Sequence, residues 1–249
     1  MTTSEQELLR VEGLQNLRDV GGLPTAEGGR TRHGRLLRSD SPHRLTEEGW
    51  RRLLGAGVRT VVDLRTTNER TGNPAGPGVP DIRSVHAPIF EDGDVFPEHL
   101  VDNVDVYSWW VHARGDAVAA ALAAIADSDG PVLVHCHAGK DRTGIVVALA
   151  LRLAGVPVEV VADEYALSAE MLADVLAEGM RRSREKGDTS EATLQRWFTV
   201  HRETMVDTLG RLEARYGSPG QILTALGLDS ARIGRLRGLL LDEAWPAQR

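Results

Sequence analysis

Between Pro131 and Gly155 the chain runs PVLVH, then CHAGKDR, then TGIVVALALRLAG. Few folds accept that order. The first piece is too short for a buried helix and reads as a strand covered on both faces. The last piece is apolar almost all round and reads as a buried helix that stops at Gly155, with Pro157 beyond it. A glycine-bearing loop joins them. Strand, tight loop and helix in direct succession is the repeating unit of an α/β domain with a largely parallel sheet, whose ligands bind at the C-terminal ends of the strands. The joining loop sits at such an end.

The segments around this unit agree with it. GRLLRSD at 34–40, VRTVVDL at 58–64 and IRSVHAP at 82–88 read as further strands. Thr46 reads as an N-cap followed by Glu47 and Glu48, opening a helix with Trp50, Leu53 and Leu54 on its apolar face and Gly55 and Gly57 at its end. AVAAALAAIA at 117–126 is a helix closed by Gly130. Gly21-Gly22 marks a turn or a close backbone approach. TTNERTGNPAGPGVP at 66–80 reads as an exposed connection, and FEDGDVFPE at 90–98 as an acidic loop. From 157 to 243 only helical patterns occur: a block at about 158–182, a second at about 191–216, and two shorter helices after YGSPG and GLDS, with SREKGDTS at 183–190 as a polar break. We therefore expect an α/β fold with a central, largely parallel sheet flanked by helices. Residues 1–249 form one domain in this reading, with its core at about 10–156 and a helical region at about 157–243 that packs on the sheet or covers the site as a lid.

Composition narrows the function. The net charge of −7 disfavours a nucleic-acid or anionic-membrane surface. No apolar run is long enough to span a bilayer, so no stable membrane insertion is expected. The N-terminus MTTSEQELLR lacks the apolar stretch of a signal peptide. One cysteine excludes an internal disulfide. A cytoplasmic protein is expected, with export by another route left open.

That one cysteine is Cys136, in the joining loop. A free thiol is only about 3% thiolate at neutral pH, but a helix N-terminus and nearby cations bring such a group down to roughly 4–7. Both are at hand: the following helix directs its positive end at the loop, and Lys140 and Arg142 add full charges. The same features make an anion site. Gly139 lets successive N–H groups turn inward as a nest, and Arg142 offers a planar fork that matches two phosphate oxygens. A phosphorus held there faces the sulfur, with the loop and the guanidinium stabilising the charge of in-line attack. Other readings fit less well. A buried core cysteine does not explain the glycine, the cations and the helix start together. His135, Cys136 and His137 point apart as neighbours and have no second half for a metal site. A Walker loop requires a Ser or Thr after Gly-Lys, and Asp141 stands there.

HCHAGKDRTG at 135–144 resembles the signature of the cysteine-dependent protein-tyrosine phosphatases. NLRDVGG at 16–22, GRLLRSD at 34–40, TVVDLRTTNER at 60–70 and YGSPGQILTALGL near the end are similar to its atypical bacterial branch of tyrosine and phosphoinositide phosphatases. The resemblance implies hydrolysis of phosphate monoesters on a phosphorylated protein or a phosphoinositide, without a cofactor or metal, with inorganic phosphate as product. It implies Cys136 as nucleophile forming a phosphocysteine, and Arg142 as phosphate ligand and transition-state stabiliser. The backbone of His137, Ala138, Gly139, Lys140, Asp141 and Arg142 is implied as the phosphate cradle, and Thr143 as hydrogen-bond donor to the sulfur. His135 is expected behind the loop, orienting it, and the His137 side chain at the pocket rim or in solvent, with its role open. Lys140 can meet a second phosphate there, as in enzymes that act on inositol rings, or only raises the local potential.

No Trp-Pro-Asp occurs to supply the leaving-group proton. Asp141 and Asp63 are equal candidates for it, with Asp92 or Asp94 of the acidic loop third. Two rival functions stand beside the phosphatase: a rhodanese-like sulfurtransferase, which also uses a loop cysteine, and a non-enzymatic phosphate-binding module.

Overall fold

The computed structural model describes residues 11–75, 81–187 and 189–241. Residues 76–80 of the expected connection, Asp188 of the expected polar break, and both chain ends (1–10 and 242–249) lie outside them.

The strands are β1 (Arg18–Asp19), β2 (Leu36–Ser39), β3 (Thr60–Asp63), β4 (Arg83–His86) and β5 (Val132–His135). They lie side by side in the order β1-β2-β5-β3-β4. β1 is antiparallel at one edge and every other pairing is parallel. The expected α/β class and largely parallel sheet are therefore present. β5 is central, with Ser39 and Asp63 paired on either side of His135. Three strands thus end in one row, and the loops leaving that row build the site.

Alternate residues explain why these strands are apolar throughout. Leu36, Val62, Val132 and Val134 enter one apolar cluster, while Leu37, Val61 and Leu133 enter another with Trp50 and Leu53. A sheet covered on both faces has no polar side to display. The smaller cluster packs under α1 (Glu47–Gly55), capped as expected by the Thr46 hydroxyl, which accepts from Gly49 N–H. The connection after β3 is not all loop. It contains a short helix, α2 (Thr67–Gly72), opened by a capping box between Thr66 and Glu69.

On the other face lie α3 (Asn103–Ala113), α4 (Gly115–Ala126) and α5 (Asp141–Leu153). α3 was not legible in the sequence: its apolar residues show no one-sided stripe. The block expected at 158–182 is two helices, α6 (Val158–Met171) and α7 (Ala173–Lys186), broken at Leu172. The block expected at 191–216 is also two, α8 (Glu191–Phe198) and α9 (Arg202–Tyr216). Ser190 caps α8, and extended backbone at Thr199 ends it. α10 (Pro219–Ala225) and α11 (Ser230–Leu240) close the chain as expected. Met205, Leu209, Leu212, Ile222 and Leu236 share the larger cluster with the sheet residues, so α9, α10 and α11 are part of the core. Among the described residues no helix is long and apolar enough to cross a membrane.

Candidate active site

The loop 136–142 leaves the central strand and enters α5 at Asp141. Its carbonyls are pinned from behind. Ser41 N–H donates to His137 O (2.9 Å). Asn16 Nδ2 donates to Ala138 O (2.9 Å) and Gly139 O (3.1 Å). The Arg38 guanidinium donates to Gly139 O (2.6 Å) and Lys140 O (3.3 Å). In a trans peptide N–H points opposite to C=O, and the described residues contain no cis bond. The N–H groups of Ala138, Gly139, Lys140 and Asp141 are therefore turned to the other side. Gly139 is at φ +67, and a Cβ there would lie 2.1 Å from Ser39 O. The loop can run this close to β2 only with glycine at that position.

A buried ionic cluster holds the pins. Glu164 of α6 takes Arg18 Nε on one oxygen and Arg38 Nη1 on the other, both at 2.6 Å. Arg18 also donates to Asn16 Oδ1 (2.6 Å), and Asp40 accepts from Gln15 and Asn16 N–H (2.8 Å each). Burial pushes the Glu164 carboxyl up, but the two guanidiniums outweigh it and keep it below the usual range. NLRDVGG and GRLLRSD thus supply the support for the loop, roles that their residues give no local sign of.

The pocket in front of the loop has a volume of about 940 Å³ and is lined by Cys136, His137, Ala138, Lys140, Asp141 and Arg142 from the loop and by Glu69, Phe90, Tyr107 and Trp110 opposite. Cys136 is a free thiol, 3% exposed. Arg142 is clamped by Glu69, which accepts from Nη1 (2.6 Å) and Nη2 (2.8 Å). Its guanidinium lies 4.9 Å from the Phe90 ring centre. Glu69 is fixed in turn by Thr66 N–H (2.9 Å) through the capping box. Burial raises the Glu69 carboxyl, but Arg142, the Thr66 N–H and His137 more than offset this and bring it to about 2. Glu69 was hidden in a segment read as loop; the Thr66-x-x-Glu69 spacing was the signal that could have found it.

The remaining expected residues fall out as follows. Gly139 does not line the pocket; it makes the close approach to β2. Lys140 is buried, and its ammonium goes to the carbonyls of Trp197 (2.8 Å) and Thr199 (3.0 Å) at the end of α8, not to open space where a second phosphate would bind. Thr143 Oγ1 is buried with no hydrogen-bond partner, so the expected bond to the sulfur is not formed here. His135 lies behind the loop as expected. Its Nδ1 carries the proton, since it faces Cys136 O (3.0 Å), and burial lowers the imidazole to about 4 against the pull of Asp63. His137 is exposed at the pocket rim.

The candidate acids separate. Asp63 is 2% exposed and gives both oxygens to Arg65 (2.9 and 2.7 Å); burial raises its carboxyl, but Arg65 and His135 outweigh that and hold it low. Asp92 accepts from Thr66 Oγ1 and Asn68 N–H at the start of α2. Asp94 is held by Arg114 (2.6 Å) and Glu91 N–H (2.8 Å). Asp141 has a cation beside it too, Lys140 Nζ at 3.4 Å from Oδ1, but of these four it alone lines the pocket, with its side chain 31% exposed. Among the described residues no three His, Cys, Asp or Glu side chains converge as a metal site.

The sequence model described as the tyrosine phosphatase family matches residues 9–242. The triple specificity protein phosphatase PtpB of Mycobacterium tuberculosis is 30% identical over 92% of this chain and 97% of its own. A tyrosine-protein phosphatase of Nostoc commune is 30% identical over 81% of this chain and 72% of its own. The sulfurtransferase and the pure binding module give way to these findings. A family match over nearly the whole length, joined to a pocket that brings Cys136 and Arg142 together, makes this chain a member of the tyrosine phosphatase family and a phosphoric monoester hydrolase.

Proposed function

We propose that the enzyme hydrolyses phosphotyrosine in proteins by a phosphocysteine route. The sulfur of Cys136 attacks phosphorus, and the bond to the leaving oxygen breaks as that oxygen takes a proton from Asp141. Water then attacks the phosphorus of the phosphocysteine and gives a proton back to Asp141, the S–P bond breaks to return the Cys136 thiolate, and inorganic phosphate is released. The observation that carries the reading is the loop itself: carbonyls pinned outward, N–H groups turned the other way, and thiol and guanidinium in one pocket. Arg142 binds two phosphate oxygens, with Glu69 holding its fork in place. The unpartnered Thr143 hydroxyl is available to the sulfur as it departs in the second step. The aromatic wall of Phe90, Phe96 and Trp110 suits a phenyl ester.

The substrate range extends past phosphotyrosine in this reading, to phosphoserine, phosphothreonine and phosphoinositides. The pocket is wider than one phenyl ring needs, and the similar mycobacterial protein is named for triple specificity. Lys140 does not supply that breadth while α8 engages its ammonium. α7 and α8 wall the pocket through Leu176, Gly179, Trp197 and Phe198, and we read them as its lid. A single thiol nucleophile suits a reducing compartment, hence the cytoplasm.

Hydrolysis of nitrophenyl phosphate by the wild type and by Cys136→Ser, both in excess EDTA, is the primary test. Activity that survives chelation and is lost by at least about 10⁴-fold in the variant supports the thiol route; comparable activity in both overturns it. Rates on phosphotyrosyl and phosphoseryl peptides and on phosphoinositides then measure the range.

A further inference from the structure

Two buried phenols stand behind the proposed proton donor. Tyr107 of α3 and Tyr165 of α6 are 0% and 1% exposed. The Tyr107 hydroxyl donates to Asp141 Oδ1 and lies 2.9 Å from the Tyr165 hydroxyl. Each phenol has one proton. A carboxylate oxygen can only accept, so Tyr107 gives its proton to Asp141 and must accept from Tyr165. The direction of the chain is thereby set: Tyr165 to Tyr107 to Asp141. Such a chain strengthens each of its bonds. Burial, with the charge of Asp141 second, raises Tyr107 well above the ordinary phenol range, and both factors raise Tyr165 in the same way. Both rings therefore stay protonated as donors.

The rings cannot swing. Tyr107 stacks on Trp110 at 5.3 Å between centroids and meets Tyr165 edge to face at 6.4 Å. Tyr165 lies so close to α5 that a Cβ on Gly144 would stand 2.9 Å from its ring. Neither hydroxyl reaches solvent, so the pair does not conduct protons to bulk water. Asp141, partly exposed, exchanges its own.

We propose that Tyr107 is the positioning residue for the proton donor. Ordered by Tyr165, its hydroxyl holds one carboxyl oxygen of Asp141 and leaves the other to carry the proton to the leaving group. This rests on the assignment of Asp141 as the acid given above. A proton donor matters in proportion to how poor the leaving group is. A residue needed only for folding shows no such dependence.

The experiment is kcat/KM for phenyl phosphate and 2,4-dinitrophenyl phosphate with wild type, Tyr107→Phe, Tyr165→Phe, Asp141→Asn and the Tyr107→Phe/Asp141→Asn pair. Tyr107→Phe is expected to lose about tenfold on phenyl phosphate and less than about threefold on the dinitrophenyl ester. Tyr165→Phe should show the same pattern more weakly. In the Asp141→Asn background the selective loss from Tyr107→Phe should vanish, because the two act as one unit. Equal losses on both esters, or a selective loss that persists in the Asp141→Asn background, overturn the proposal. Asp141→Asn with a selective loss beside Tyr107→Phe without one removes Tyr107 from this role and keeps Asp141 as acid. Equal losses in Asp141→Asn show instead that the acid assignment itself has failed, and the inference with it. Should Tyr107→Phe not fold, by circular dichroism, Tyr165→Phe decides: it must be selective or the proposal falls.

Discussion

At the level of single residues, Gly139 and Glu69 show how closely geometry and charge constrain the loop. Any side chain at position 139 meets a left-handed backbone and the carbonyl of Ser39 at once. The two faults add: left-handed backbone costs roughly 1–2 kcal/mol, and the overlap forces the loop off β2. Gly139→Ala should lower stability by about 2–4 kcal/mol in urea unfolding and reduce kcat/KM on nitrophenyl phosphate by at least about 100-fold; near-normal activity would mean that the approach to Ser39 is not needed. Glu69 makes a prediction about pH. Its carboxyl lies at about 2 in the fold against 4.5 as its ordinary value. The stability that this shift contributes is full above about pH 4.5 and disappears as pH falls through about 2. Wild type should thus exceed Glu69→Gln in urea midpoint by a constant margin from about pH 8 to about 5.5, and that margin should shrink towards acid pH. A margin that grows on acidification would show that Glu69 does not clamp Arg142 as a carboxylate.

Among the helices and strands, two contacts tie distant pieces to the loop. Glu164 on α6 pairs with guanidiniums from β1 and β2 in a site where Arg38 is fully buried. Removing a shared partner leaves two cations unpaired, at a cost of about 3–5 kcal/mol. Glu164→Gln should fall in thermal midpoint by several degrees and lose activity with it, since the pins on Gly139 and Lys140 loosen together; a stable, fully active variant would count against the cluster as the support of the loop. The second contact is Lys140 on the carbonyls that end α8. A cation there also complements the negative end of the helix. Lys140→Met should release α8, seen as several-fold faster proteolysis at 187–190. Unchanged cleavage would mean that packing alone, such as Phe198 against Gly179, holds this wall.

Across the molecule as a whole, the C-terminal helices are not an appendage. The cluster that includes Val62 and Val134 from the sheet extends without interruption to Leu236 and Leu240 of α11. We therefore propose one cooperative domain across the chain, and calorimetry should give a single unfolding peak whose van't Hoff and calorimetric enthalpies agree. Two resolved transitions would restore a separable helical region. The apolar runs of β2, β3 and β5, the Thr46 cap, and the unit from Pro131 to Gly155 were readable in sequence because periodicity, capping and glycine placement are properties of a few consecutive residues. Cys136 and Arg142 were readable for the same reason, since one short loop carries both. The different surroundings of Asp63, Asp92, Asp94 and Asp141 were not, and neither were the clamp of Glu69 on Arg142, the diversion of Lys140 to α8, or the phenol behind Asp141. Each of these depends on a neighbour from a distant part of the chain, placed by packing of the sheet and helices. Residue order alone nominated the groups proposed here for the chemistry. Long-range packing selected which of their polar atoms were left free to do it, because a hydrogen bond depends on where two groups meet in space, and spacing along the chain specifies that only over a turn or two.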